Sequence, residues 1–364
     1  MNNSQDLRLG VWHGEGIGPE IVGPTMTAVT LALQDIPVEF VPLELGLSAF
    51  EATGQIVPDA TWRHVETLDG WILGPHDNAS YPAEARGQLN PSAALRKRAE
   101  LWANIRPVSG VPGAVHPDLE VVVVRENTEG MYADRNMFSG SGDISVTPDL
   151  ALAIGVFTTE KIRRIVRRAA QLAVRRGGVL TVAHKSNVLV ETSGRYVTEA
   201  RACAEEFGIE IQPVHIDALC AELVTRPQRY RTIVAENMFG DILSDLIGGL
   251  GGSLGIAGSI NAGDEQVMAQ AAHGSAPDIA GQGIANPAAM MNSAAQLLIA
   301  LGYEEAGTRL HSAVESAVVY APTRDLFRGP ADGVEETGVN PEVAGPASTQ
   351  EFADHVFAQL KTLV

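Results

Sequence analysis

The chain reads as an α/β protein with a largely parallel sheet, and three observations predict it. Short apolar runs alternate with longer segments of helical periodicity. Glycine and proline cluster at the junctions between them. The 364 residues, 45% hydrophobic and 19% charged, supply enough apolar surface for two packed domains, which excludes a disordered chain or a coiled coil.

Each element follows from local pattern. Leu7 to Trp12 is an apolar run that ends in the turn His13-Gly-Glu-Gly-Ile-Gly18, and Pro19 then sits where a first helical turn tolerates proline; the periodic segment continues to about Leu33. Further strand-like runs fall at Val38 to Pro42, Gly70 to Leu73, Leu101 to Ile105, Glu120 to Val124, Val179 to Ala183 and Thr232 to Val234. The stretches Ser109 to Pro117 and Gly248 to Gly263 are rich in chain breakers and read as crossings between domains.

Composition narrows the function. With 26 basic against 44 acidic residues the net charge is -18, so no nucleic-acid partner is expected and any cationic cluster must be local. Cys203 and Cys220 lack metal-ligand spacing and read as thiols of a reducing compartment. The first residues carry no cationic leader, and no run approaches the roughly 18 apolar residues of a membrane span. The expected location is the cytoplasm, without a membrane partner.

The densest chemistry lies in Asn237-Met-Phe-Gly-Asp241-Ile-Leu-Ser-Asp245-Leu-Ile-Gly-Gly. Two carboxylates four residues apart share a helix face, and a buried face carrying two anions needs a cation, so the pair reads as half of a divalent metal site. The competing reading makes Asp241 a helix N-cap and leaves Asp245 solvated. Arg96, Arg106 and Arg125 lie near predicted strand ends, where α/β proteins bind ligands, and are candidate clamps for substrate carboxylates; each alone also fits a surface ion pair. Lys185 follows the Val179 run, where partial burial would suit a general base. Asp217, at a corresponding strand exit, is a candidate third metal carboxylate, and Tyr132 a candidate proton donor.

The opening glycines at Gly14, Gly16 and Gly18 miss the dinucleotide-fingerprint spacing, which leaves a strand-to-helix turn as the simpler reading. The run from His273 through Gly274, Ser275, Ala276, Pro277, Asp278 and Ile279 to Asn286 and Pro287 is a long loop of small residues that lets backbone approach a phosphate-bearing ligand. Asp278 suits a ribose diol and would repel a 2′-phosphate, favouring NAD over NADP.

Taken in order, these blocks resemble the β-decarboxylating dehydrogenase family, which includes isocitrate, isopropylmalate, homoisocitrate, tartrate and D-malate dehydrogenases. The blocks are Gly14-Glu-Gly-Ile-Gly-Pro-Glu-Ile, Leu95-Arg-Lys through Arg106-Pro, Val124-Arg-Glu-Asn-Thr-Glu-Gly-Met-Tyr, His184-Lys-Ser-Asn-Val, Asn237 to Gly249, and His273 to Pro287. The resemblance implies that family's two-domain fold rather than a Rossmann fold. Residues 1–108 and 262–364 would form a discontinuous cofactor-binding domain, and residues 109–261 a central domain with the interface of a homodimer.

By position in the motifs, Arg96, Arg106 and Arg125 would hold the malate carboxylates, and Asp241 and Asp245 would bind Mg²⁺ or Mn²⁺ together with Asp217 from the partner subunit. Lys185, also from the partner, would be the base and Tyr132 the acid. Asn187 would lie near the nicotinamide, and His273 to Ile279 with Asn286 would cradle the adenosine half of NAD. The implied activity is oxidative decarboxylation of an (R)-malate-type 2-hydroxy acid to a 2-keto acid and carbon dioxide. A noncatalytic regulatory subunit and a dehydrogenase without decarboxylation are the alternatives.

Departures from the family pattern bear on the substrate. Where isopropylmalate enzymes present leucines, this chain has Ser92 and Ala93, preceded by Asn90 and Pro91. Such a lining forgoes the ~1.5–3 kcal/mol that full burial of an isopropyl group is worth, so a small or polar substituent is expected, with Asn90 and Ser92 as substrate contacts. Glu15 stands where Asp is usual, and Gln270 where a Glu commonly precedes the cofactor loop.

Overall fold

The computed structural model describes residues 6–85, 87–132, 142–327, 343 and 345–362. The chain opens with β1 (Leu7–Trp12), α1 (Gly18–Leu33), β2 (Val38–Pro42), α2 (Gly46–Thr53), α3 (Asp59–Val65), β3 (Gly70–Leu73) and α4 (Pro91–Arg98). It continues through β4 (Ala103–Ser109), β5 (Glu120–Glu126), β6 (Asp143–Thr147), β7 (Leu150–Ala153), α5 (Thr159–Arg175), β8 (Val179–His184), α6 (Ser193–Phe207), β9 (Glu210–His215) and α7 (Ile216–Thr225). Then come β10 (Thr232–Ala235), α8 (Asn237–Gly251), β11 (Ile260–Ala262), β12 (Val267–Gln270), α9 (Ala288–Ala300), α10 (Glu304–Tyr320) and α11 (Thr349–Thr362). Among the described residues no helix is long and apolar enough to cross a membrane.

Two compact units result, one from residues 1–99, 111–117 and 252–364, the other from 100–110 and 118–251. The chain changes unit within both breaker-rich stretches singled out in the sequence. Residues 100–110 fall in the second unit, where β4 pairs with β5.

In the discontinuous unit the strands run β2-β1-β3-β12-β11, all parallel except the last pair. β1 and β3 are apolar nearly throughout because helices cover them: Leu9, Trp71, Ile72, Leu73 and Met268 have no exposure. Helices α1, α9, α10 and α11 pack with one another through small residues and through Leu297, Leu310 and Phe352, all fully buried.

In the other unit the order is β4-β5-β10-β8-β9, parallel from β5 onward and antiparallel between β4 and β5. The strand expected from Leu101 starts at Ala103 and extends to Ser109, since its register is set by β5. Helix α5 buries Ile162, Ile165, Val166, Ala169, Ala170 and Ala173, a three-to-four residue spacing that forms one stripe. Strands β6 and β7 form a separate two-stranded hairpin in which every residue is exposed, Ile144, Val146, Leu150 and Leu152 included. A lone hairpin of this kind is marginal in water, so its apolar side chains lack the cover that would stabilise them.

The glycine turn after β1 has a structural task. The amide of Glu15 donates to the Pro75 carbonyl at 2.8 Å and that of Ile17 to the Ser275 carbonyl at 2.9 Å, which leaves neither free to cradle a pyrophosphate. Gly16 has φ +59, and a Cβ there would lie 2.1 Å from the Ser275 oxygen. The Glu20 carboxylate accepts from the amides of Gly281 and Gly283. The first helix thus fastens both ends of the 275–283 segment.

Glu126, at the end of β5, is fully buried. One carboxylate oxygen accepts from the amide and hydroxyl of Thr128, both at 2.7 Å, while among the described residues neither the other oxygen nor the buried Tyr196 hydroxyl has a hydrogen-bond partner. Burial pushes the Glu126 carboxyl up from 4.5 to about 7. A raised folded-state pKa means that stability is fully present below pH 4.5 and is lost as pH rises through 7. Glu126→Gln is therefore expected to leave stability nearly unchanged at pH 4.5 and to raise it by up to about 3 kcal/mol at pH 8. Urea unfolding at the two pH values measures this, and an equal effect at both would contradict it.

Candidate active site

Antiparallel register assembles the first cluster. Asn104 on β4 pairs with Arg125 on β5, and Arg106 lies two residues along from Asn104, so all three side chains leave the same face. Helix α8 lies against these strands. Gly240 allows the close approach, because a Cβ there would sit 2.6 Å from the Arg125 Cγ.

Across that contact Arg125 Nη1 and the Tyr132 hydroxyl both donate to Asp241, and Arg106 Nη1 donates to Asp245 at 3.2 Å. Arg106 Nη2 lies 3.4 Å from Asp241. The Arg125 guanidinium also rests over the Tyr132 ring at 5.3 Å. The arginines are themselves fixed: Arg106 by Asn104 and Ser244, both at 2.7 Å, and Arg125 by Asn237 at 2.9 Å.

Two sequence readings are corrected here. Asp241 is not an N-cap, since α8 begins a full turn earlier at Asn237. Nor is the acidic face buried: the arginine side chains are only 8% and 3% exposed, whereas Asp241 and Asp245 are 32% and 56% exposed. The cations are the buried partners and the anions look outward. Burial pushes the Asp245 carboxyl up, and the Arg106 charge opposes that shift.

Lys185 and Asp217 form a second group in the same unit. Lys185 Nζ donates to Asp217 Oδ1 at 2.6 Å, and that hydrogen bond holds the exposed carboxyl below its usual range. Among the described residues no three acidic, histidine or cysteine side chains of one chain come together to hold a metal, so Asp217 does not join Asp241 and Asp245 within a single copy. As a donor set, the two aspartates are hard carboxylate oxygens that suit Mg²⁺ or Mn²⁺ once a third ligand source is added. Asn187 is exposed, and the residues after it, Val188, Leu189 and Val190, are exposed apolar side chains.

The discontinuous unit carries the rest. His273, Ala276, Ile279 and Asn286, with Ile17 and Arg324, line a cleft of about 550 Å³. Ser275 is buried beneath the loop, Gly274, Pro277 and Asp278 are exposed along it, and Ala276 adopts a left-handed φ of +39. Asn286 is held by the Ala288 amide and by Asp325. Burial lowers the His273 imidazole pKa.

At the end of β12, just before that loop, the Gln270 side-chain oxygen accepts from Ser92 Oγ at 2.7 Å and from Arg96 Nη2 at 2.8 Å. Asn90 caps α4 through the Ala93 amide, which engages its side-chain oxygen. His76 is half-buried, and burial with the Arg96 charge pushes its pKa down to about 4.

Several of these residues escaped the sequence reading. Ser244 and Asn237 sit three and four residues from Asp241, a helical spacing that could have flagged them. Glu20, Arg324 and His76 gave no local signal, since their contacts arise from segments distant in sequence, whereas Asn104 lies two residues from Arg106 on the same strand.

The family model for isocitrate/isopropylmalate dehydrogenases matches residues 8–355. The isocitrate/homoisocitrate dehydrogenase of Thermus thermophilus is 37% identical over 361 residues, covering 98% of this chain and 99% of that protein. The 3-isopropylmalate dehydrogenase of Archaeoglobus fulgidus is 36% identical, with coverage of 97% and 99%. The crystal structure of isocitrate dehydrogenase from Methylococcus capsulatus superposes with a TM-score of 0.84 at 32% identity, covering 98% and 99%. With its alternating α/β architecture and these matches along nearly its whole length, the chain belongs to the isocitrate/isopropylmalate dehydrogenase family of β-decarboxylating oxidoreductases.

Proposed function

We propose that the chain catalyses the NAD- and divalent-metal-dependent oxidative decarboxylation of an (R)-malate-type 2-hydroxy acid to a 2-keto acid and carbon dioxide. The observation that carries this reading is the Asp241–Asp245 pair facing Arg106 and Arg125 with the Tyr132 hydroxyl on the same carboxylate. One cluster thereby offers metal oxygens, carboxylate clamps and a proton donor. A regulatory subunit would have no use for the proton donor and the Lys185–Asp217 pair together.

When bound, NAD supplies the hydride acceptor and a divalent ion the Lewis acid that polarises the new ketone beside its carboxylate. The chain's own residues do the rest. Arg96, Arg106 and Arg125 bind and orient the carboxylates. Lys185 of the partner subunit removes the hydroxyl proton, and Tyr132 returns a proton to the carbon that loses carbon dioxide. Asp241 and Asp245 with the partner's Asp217 hold the ion, Asn187 approaches the nicotinamide, and the loop from His273 to Asn286 receives the adenosine half, with Asp278 at the ribose.

The discontinuous unit would serve as the cofactor domain and the other as the dimerisation domain. The exposed apolar hairpin β6–β7 and the run Val188 to Val190 support a second copy as partner. Cytoplasmic residence fits the free thiols Cys203 and Cys220. Ser92 and Ala93, standing where isopropylmalate enzymes present leucines, favour a small or polar side arm over an isopropyl group.

Three outcomes test the reading. NADH formation from a panel of D-malate, tartrate, isocitrate, homoisocitrate, 3-methylmalate and 3-isopropylmalate, with matched carbon dioxide release, should cease after chelation and return with Mn²⁺; NADH production undiminished by exhaustive metal removal would sink it. Mixing inactive Lys185→Ala and Asp241→Asn homodimers under conditions of subunit exchange should restore about a quarter of native activity, because each heterodimer regains one intact site. No recovery despite exchange would place both residues in a site built by one chain. Glu20→Gln should raise KM for NAD by roughly tenfold, about 1.4 kcal/mol, with kcat within about threefold, as its clamp on the loop is weakened; an unchanged KM would remove the loop from the cofactor site.

A further inference from the structure

Glu236 occupies the junction between β10 and α8 and is only 2% exposed. Its backbone carbonyl accepts from the Gly240 amide at 2.8 Å, which makes it the N-cap residue of α8. Serine, threonine, aspartate and asparagine are the usual occupants of such a position, and a glutamate is longer than capping alone asks for. Its Oε2 nevertheless accepts from the Met238 amide at 3.1 Å, in the first turn of the helix.

The extra length reaches a second segment. Gly130, with φ +104, lies so close that a Cβ there would stand 2.8 Å from Glu236 Oε2 and 3.1 Å from the Asn237 Cβ. A side chain at position 130 would both strain the backbone and displace the carboxylate. Burial pushes the Glu236 carboxyl up, while hydrogen bonds from the amides of Met238, Phe239 and Met131, with the Arg125 charge, oppose that rise. One buried carboxylate thus serves the first turn of α8 and the residue immediately before Tyr132.

The other side of that segment is fixed as well. Gly130 exchanges two backbone hydrogen bonds with Val156, at 2.9 and 3.1 Å, and the Glu129 carboxylate accepts from the amide and hydroxyl of Thr158, both at 2.9 Å. Held there and at Glu236, the chain brings the Tyr132 hydroxyl to Asp241, on the same helix that Glu236 caps.

We propose that Glu236 is a positioning residue that acts through Tyr132: by joining the cap of α8 to the Met131 amide, it sets where the tyrosine hydroxyl stands relative to the Asp241 carboxylate. This rests on the proposed role of Tyr132 as proton donor and names the group that holds the donor in register with the aspartates.

The test is a double-mutant cycle on kcat with Glu236→Ser, Tyr132→Phe and the two combined, with Mn²⁺ present and whichever acid of the panel turns over fastest. Serine keeps a good cap for α8 but is too short to span to Met131. Glu236→Ser should lower kcat about tenfold while substrate KM and the calorimetric Kd for Mn²⁺ stay within about threefold, and in the Tyr132→Phe background the same change should cost less than about twofold. Glu236→Gln, which keeps the reach and an acceptor oxygen, should retain at least about a third of native kcat. An undiminished kcat in Glu236→Ser, equal losses in both backgrounds, a Mn²⁺ Kd that rises as far as kcat falls, or a Glu236→Gln as impaired as Glu236→Ser would each overturn the inference while leaving the proton donor in place. Native kcat in Tyr132→Phe would instead overturn the proton-donor role, and with it everything built on Glu236.

Discussion

Everything at the Asp241–Asp245 cluster depends on two buried guanidinium groups facing two half-exposed carboxylates. Arg106 and Arg125 have lost most of their hydration, and a buried charge of that kind persists only when it is paired and hydrogen-bonded. Asn104 and Asn237 accept from the Nε atoms that the aspartates do not reach, and Ser244 shares Arg106 Nη1 with Asp245. The aspartates in turn sit at i and i+4, where like charges repel on an isolated helix, and the arginines remove that repulsion. Each charge therefore makes the other's location tolerable.

That mutual dependence has a chemical corollary. The donors that would hold a substrate carboxylate already hold the Asp241 and Asp245 carboxylates. On the proposed function, substrate carboxylates would take the place of the protein's own on the arginines, and Asp241 and Asp245, so released, would be the residues to hold a divalent ion. Such an exchange keeps the cluster near neutrality at each stage, which limits the cost of moving ions into a partly desolvated place.

Much of this was visible in the sequence. The strand and helix alternation is set by local pattern, and the Asp241–Asp245 spacing is a property of one helix, so both could be read from adjacent residues. What could not be read were features that depend on which residues meet. The exposure of the acidic face follows from α8 lying on the arginine-bearing strands, and the Leu101 strand moved because its partner, not its composition, fixed the ends. The hairpin β6–β7 was missed because its apolar side chains cover no core of their own unit, so the amphipathic signal had nothing local to answer to. Glu20 and Gln270 act on segments more than 170 residues away, and nothing near them in sequence announces it.

The parallel ladder between β3 and β12 joins Trp71 to Met268. On a ribosome, the strand that completes this sheet emerges only after the intervening unit, residues 118–251, is entirely out. The inserted unit has all its own strands in hand by then and can condense first, whereas β1, β2 and β3 must wait with an open edge. Translation order would thus make the inserted unit the early-folding body and leave the discontinuous sheet as the portion most in need of protection from premature association.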